Sequence, residues 1–338
     1  MTLRTLTPLF SGGINRKCEN DLTPTSYLGT LRWYSEAFLR GKGYRACNEH
    51  NCTADTLCAA CSLFGSTNYR SRFSLEMKGA WSKSSSAKIT RPPAADGPKP
   101  QSYLLPEGLL TKPEGLNIRF SLIFPQGTLH APWDTTDPIS FLNAISANIT
   151  SRAAWGAKSS YGYGWMSIDS PEVAPENLET TFPPNHPTFP GEPRWSQLFC
   201  VDLELPKLTW PAGWAFEGSP ENGFLAENIM AIGPILSTMT RSYLHGIEDI
   251  TDNERHLLKG DVKSPQTRSC IAWTHAVRAN DDSPWQVRCH GWFPDSMTKH
   301  RSEWVNTTPS DNRALRIVRS LCPSALIKNR LVWQGELP

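Results

Sequence analysis

Tyr27, Leu31, Tyr34 and Phe38 recur at steps of three and four residues between Ser26 and Arg40, an apolar stripe that predicts a helix stopped by Gly41. Upstream, residues 2–9 read as a first strand. It is broken at Ser11-Gly12-Gly13, where glycine permits a left-handed backbone and close approach to a ligand. Downstream, Phe73–Met77 alternates as a strand, and Leu116, Ile118, Phe120, Leu122 and Phe124 alternate more strictly as another. The segment between these two, WSKSSSAKITRPPAADGPKPQ, is too rich in Ser, Pro and Lys to form a core and reads as a flexible loop over about 81–113, or an arm that orders on binding. Asp137 and Pro138 then open a helix that buries Ile139, Leu142, Ile145 and Ile149 and ends near Ala154. Trp165 to Ile168 closes the set as a short strand.

Strand, helix, strand, strand, helix, strand is the ferredoxin-like order. The second half repeats it. Phe199, Val201, Leu203 and Leu205 alternate as a strand, and Phe224 to Leu244 is helical in character, with Gly233-Pro234 expected to kink or break it. Cys270–Arg278 and Gln286–Trp292 read as two strands, Asp311 caps a helix through Leu321, and Leu326–Gln334 is a last strand. The fold class is therefore α+β, with two ferredoxin-like (RRM-like) domains at 1–175 and 190–338 joined by a proline-rich segment.

The chain's 338 residues, 39% of them hydrophobic, suit two such cores. No run of eighteen apolar residues occurs, and MTLRTLTPLFSGG lacks the apolar core of a secretory signal. A soluble, cytoplasmic protein without membrane contact is expected, in which cysteines serve as metal ligands or reduced thiols rather than disulfides. The net charge of +2 conceals an asymmetry: residues 1–100 hold fourteen Lys+Arg against seven Asp+Glu, the remainder twenty against twenty-five. A basic end is a candidate polyanion contact.

Cys47, Cys52, Cys58 and Cys61 follow C-x4-C-x5-C-x2-C, and Cys58-x-x-Cys61 is the chelating turn of a tetrahedral zinc site. His50 is an alternative to Cys47 or Cys52. Four protein ligands leave no open position for water, so the expected zinc is structural and pins a small insertion over about 44–66. The remaining cysteines, Cys18, Cys200, Cys270, Cys289 and Cys322, are scattered. Gly12 and Gly13 beside Arg16 and Lys17 suit phosphate oxygens, as do Lys158 and Ser159 between Gly156 and Gly162. Neither stretch is a Walker loop or a dinucleotide turn. Trp33 beside Arg32, with Tyr161 and Tyr163, are the aromatics assigned to stacking on unpaired bases. Lys263 and Arg268 complete a basic groove for RNA backbone. No G-x-S-x-G elbow or Cys-His pair appears. Asp21 and His290 remain available to a metal-independent RNA-cleaving site.

TPLFSGG, TSYLGTLRWYSEAFLRG with Gly29, Leu31, Arg32 and Trp33, the Cys-x-x-Cys followed by LFGS, and WGAKSSYGYGWMSI together resemble the RAMP superfamily of CRISPR proteins. Within it they are most similar to the first-subunit family of the type III-B (Cmr) RNA-targeting effector. The resemblance implies RNA-recognition-type sheets and a place at the head of the complex, near the 3′ end of the guide RNA. It implies contact with guide RNA, target RNA and other RAMP subunits, and no nuclease role. Asn15 stands where slicing relatives carry an acidic residue, and an amide cannot serve as a carboxylate base. Two alternatives stay open: an RNA endonuclease of the same superfamily, and a zinc-stabilised assembly subunit that never touches RNA.

Overall fold

The structure is a computed structural model. It describes residues 1–7, 24–47, 52–53, 57–67, 69–79, 82–83, 87–91, 101–105, 110–111, 115–123, 132–156, 164–169, 193–206, 215–218, 232–245, 247, 250–259, 271–276, 283–306 and 308–332. In chain order these form β1 (Thr2–Thr5), α1 (Pro24–Gly41), α2 (Ala59–Phe64), β2 (Phe73–Lys78), β3 (Ser82–Lys83), β4 (Ala87–Arg91), β5 (Gln101–Leu105), β6 (Leu110–Thr111), β7 (Leu116–Leu122), α3 (Pro138–Arg152) and β8 (Met166–Ile168). A 3-10 turn at Trp195–Gln197 leads into β9 (Leu198–Leu205), β10 (Ala215–Gly218), α4 (Ile232–His245), α5 (Asp252–Lys259), β11 (Ile271–Ala276), β12 (Trp285–Trp292), α6 (Thr298–Val305), α7 (Arg313–Arg319) and β13 (Leu326–Val332).

The result is a mixed α+β chain with two four-stranded antiparallel sheets, β2-β7-β1-β8 and β11-β12-β9-β13. Numbered within each half, both sheets have the strand order 2-3-1-4, with helices after the first and third strands. Each helical side carries a core. In the first half α1 and α3 cover Leu3, Phe73, Leu116, Ile118 and Phe120; in the second, Ile235, Leu236, Trp304 and Val318 cover Phe199, Val201, Leu203, Trp273 and Val287. Asp137 caps α3 as expected, accepting from the Ile139 and Ser140 amides at 3.2 and 2.9 Å.

Several boundaries differ from the pattern-based expectation. The segment expected as a flexible loop over 81–113 contains four strands; β4 pairs with β5 and also with β10 from the second half. Main-chain pairing holds this ribbon, and main-chain pairing needs no apolar alternation. α4 starts at Ile232, so Gly233-Pro234 lie in its first turn, where proline's missing amide costs nothing; residues 224–231 of the expected helical segment lie outside the described residues. The cap of α7 is Asn312, not Asp311, its side chain accepting from the Leu315 amide at 2.8 Å.

The two sheets differ in what covers their other faces. On the first, Arg4, Ser74, Glu76, Lys78, Asn117, Arg119 and Ser121 face outward and are exposed. On the second, Cys200, Ala272, Thr274, Arg288 and His290 are all buried. The first half covers them, and Arg288 is the joint. It donates to both carboxylate oxygens of Asp202 at 2.7 and 3.0 Å, and to the Thr150 and Ala153 carbonyls at the end of α3 at 3.2 and 3.3 Å. It also lies over the Trp165 ring, 4.4 Å from the centroid. No helix among the described residues is long and apolar enough to cross a membrane.

Candidate metal centre and nucleic-acid interface

The four cysteines meet. The sulfurs of Cys47, Cys52, Cys58 and Cys61 all lie within 4.8 Å of one another, with Cys47–Cys61 at 3.4 Å and Cys47–Cys58 at 3.6 Å. None is in a disulfide. A zinc–sulfur bond of about 2.3 Å separates the corners of a tetrahedron by about 3.8 Å, so this spacing fits a four-coordinate metal. Local structure aims the thiols. Cys58 is the N-cap of α2 and accepts from the Cys61 amide, and Trp133 fixes α2 by donating to the Ala59 carbonyl at 2.7 Å.

Amide-to-sulfur bonds mark the set as one built for thiolates. The amides of Cys47 and Cys61 donate to Cys58 Sγ, and that of Cys58 to Cys52 Sγ, each at 3.4 Å. Hydrogen bonding from Cys61, then from these amides, pulls the Cys58 thiol down to about 4 against the opposing effect of burial. Cys61 moves up as its partner, and burial pushes Cys47 up to about 11. A bound cation would favour the thiolate form and displace thiol protons from the set.

Arg32, expected to face RNA, turns toward this cluster. Its guanidinium donates to Cys61 Sγ at 3.0 Å, to the Gly65 carbonyl at 2.7 Å and to Glu36 at 2.8 Å. Arg40, about two turns further along α1, is also turned inward. It bonds the carbonyls of Ala46, Cys47 and Pro193 at 3.0, 3.4 and 2.9 Å and pairs with Glu36 at 3.5 Å. Sequence reasoning missed Glu36 and Arg40. Their signal was the four-residue spacing from Arg32, which puts all three on one helix side. Trp33 is half-buried, edge-on to Tyr34 with ring centroids 4.7 Å apart.

Gly12, Gly13, Arg16, Lys17, Lys158, Ser159, Tyr161, Lys263 and Arg268 lie outside the described residues, as do Asn15, Asp21 and His50. Their flanks are informative. The amides of Leu6 and Thr7, at the end of β1, donate to the Trp165 carbonyl at 2.8 and 3.1 Å, and the Trp165 amide donates to Thr7 Oγ1 at 2.8 Å. Trp155 N–H donates to the Gly164 carbonyl at 2.8 Å, closing a neck from which residues 157–163 emerge. Gly164 has φ +86°, and a Cβ there would meet the Trp155 oxygen at 1.9 Å, so the neck requires glycine. The Gly156 amide donates to Thr30 Oγ1 on α1 at 3.2 Å. Both glycine-rich stretches therefore start from one corner, beside the first turns of α1. That helix has no acidic residue in its first turn to neutralise its positive end.

Gly29 lies exposed on α1 in this corner, with nothing within 4 Å of a Cβ built there. The open face of the first sheet carries no aromatic side chain among the described residues. His290, a candidate for an RNA-cleaving alternative, is 4% exposed, and burial, then Arg288, pushes its imidazole down to about 3.

No curated protein matches the chain by sequence. The crystal structure of apo Cmr1 from Pyrococcus furiosus is similar over 99% of this chain and 98% of that one, at 14% identity and a TM-score of 0.46. A chain in the cryo-EM structure of type III-B Cmr-beta bound to cognate target RNA is similar over 86% and 93%, at 11% identity and a TM-score of 0.38. The sequence model of the RAMP superfamily matches residues 2–167, the half holding the four cysteines and both glycine-loop flanks, and by this match the chain belongs to the RAMP superfamily.

Proposed function

We propose that this chain is a non-catalytic RNA-binding subunit of a type III-B CRISPR (Cmr) effector. It sits at the head of the complex near the 3′ end of the guide and holds guide and target RNA together with other RAMP subunits in antiviral defence. Its halves, about 1–175 and 190–338, are two ferredoxin-like domains that share one strand order. The four thiols hold a structural zinc, which supplies a cross-link and no chemistry.

The observation that carries the RNA reading is the corner where the flanks of the two glycine-rich stretches meet, with Gly29 open on α1 next to Thr30. A mid-helix glycine costs about 1 kcal/mol relative to alanine. No described residue lies within 4 Å of a Cβ there to explain that cost, and close approach of a sugar-phosphate backbone would explain it. Arg16, Lys17, Lys158, Lys263 and Arg268 supply the cations of the groove, and Ser159, Tyr161 and Trp33 the polar and aromatic contacts.

The test is RNA retention by the complete effector reconstituted with wild-type, Gly29→Ala or Gly29→Leu subunit, across a salt series. Gly29→Ala is expected to raise the melting temperature of the isolated subunit, and Gly29→Leu to weaken RNA retention, with wild-type retention falling steeply as salt rises. Full retention by Gly29→Leu at every salt concentration would leave the assembly-subunit reading in its place. RNA cleavage by the purified subunit would favour the endonuclease.

A further inference from the structure

We propose that the Arg32-Glu36-Arg40 row on α1 couples the metal centre to the junction of the two halves: Arg32 positions a metal-binding thiolate, and Arg40 fastens the metal-bearing loop to the start of the second half. The inference rests on the reading of the cysteines as a metal site and concerns this chain's own residues around it.

A dication ringed by four thiolates carries a net double negative charge, which is costly to bury without a counter-charge. The row supplies one. Arg32 reaches Cys61 Sγ at 3.0 Å and the Gly65 carbonyl at 2.7 Å, so it spans both ends of α2's last turn. A guanidinium hydrogen bond on a ligating sulfur fixes its orientation and drains charge from it, which tunes metal affinity without touching the metal. Glu36, 6% exposed, sits between Arg32 at 2.8 Å and Arg40 at 3.5 Å and keeps the two guanidinium groups from repelling one another.

Arg40 is 2% exposed and divides its donors between two parts of the chain. Ala46 and Cys47, whose carbonyls it holds at 3.0 and 3.4 Å, belong to the loop that a metal would fix. Pro193, held at 2.9 Å, begins the second half. Two residues on, Trp195 packs edge-on to Phe38 with centroids 5.3 Å apart, and it lies so close that a Cβ on Gly41 would approach its own Cβ to 2.9 Å. Metal binding therefore fixes the two carbonyls that orient Arg40, and an oriented Arg40 fixes the entry to β9. Without metal, a buried guanidinium loses fixed acceptors on one side, and the junction loosens although it is not part of the site.

The test uses the full chain with zinc and with cobalt as a spectroscopic substitute. Wild type is expected to hold one zinc per chain. Arg32→Gln is expected to shift the thiolate-to-cobalt charge-transfer band and weaken zinc binding about tenfold to hundredfold, with Arg32→Lys in between. Hydrogen exchange with and without chelator is expected to speed up in peptides over Ala46–Cys61 and also over Trp195–Leu198, and Arg40→Met is expected to uncouple the second from the first. Unchanged cobalt spectra and zinc affinity in Arg32→Gln would overturn the positioning role. Faster exchange confined to Ala46–Cys61 would overturn the coupling. A wild-type chain that holds no metal would fail at the earlier step and sink the metal reading itself.

Discussion

Arg288 concentrates the joint between the halves in one side chain. Replacing it with leucine removes two charge-assisted bonds to Asp202, at 2.7 and 3.0 Å, and two bonds to the end of α3, at 3.2 and 3.3 Å. It also removes the contact with Trp165 at 4.4 Å. Summed separately these would exceed any plausible effect, because they share one guanidinium. The governing quantity is what remains behind: Asp202, with its side chain 13% exposed, is left as an uncompensated carboxylate, and breaking a buried pair this way costs about 3–5 kcal/mol. The assay is urea denaturation of Arg288→Leu, Asp202→Leu and the double variant. The double variant is expected to be less destabilised than the two singles added together by at least about 2 kcal/mol, since it leaves no buried charge. Arg288→Lys keeps the charge but lacks the fork that spans carboxylate and carbonyls together, and should fall between wild type and leucine. A loss under about 1 kcal/mol for Arg288→Leu, with additive singles, would refute the view that this residue closes the second sheet against the first half.

His290 shares that closed face and gives it a pH signature. Its folded-state value of about 3 lies below the ordinary 6.5, so the unfolded chain takes up the proton first as pH falls. Stability is full above about 6.5 and declines toward 3, by about 3 kcal/mol at pH 4.5. His290→Gln should show a shallower loss of denaturation midpoint between pH 8 and 4.5, and matching slopes would contradict the assignment. At the neck of the second glycine stretch, Gly164→Ala forces a Cβ to within 1.9 Å of the Trp155 oxygen at φ +86°. It should cost more than the about 1 kcal/mol of an ordinary positive-φ substitution and lower the melting temperature; a neutral result would mean the neck is not held as described.

Both halves announced their strands because one face of each sheet is apolar and the other mostly polar, and a period of two is then written into Phe199, Val201, Leu203 and Leu205 or Leu116, Ile118 and Phe120. The cysteine cluster was equally legible, since chelation needs spacing and little else. What the pattern concealed is the opposite face of the second sheet. Thr274, Arg288 and His290 look like residues facing water or RNA, yet all are buried, because polarity records that a group needs partners and not who supplies them. Arg32 misled in the same way: a basic residue beside a tryptophan near a glycine loop suggests phosphate, and its acceptors proved to be a thiol, a carbonyl and a carboxylate. The consequence reaches function. Two sheets of one topology do not give two equivalent surfaces, since the second has its far face filled by the first half, whereas the outward residues described on the first are exposed and none is aromatic. On the proposed RNA reading, the loops that leave the corner at Thr7, Thr30, Gly156 and Gly164 make the contact, because the described chain brings their flanks together there.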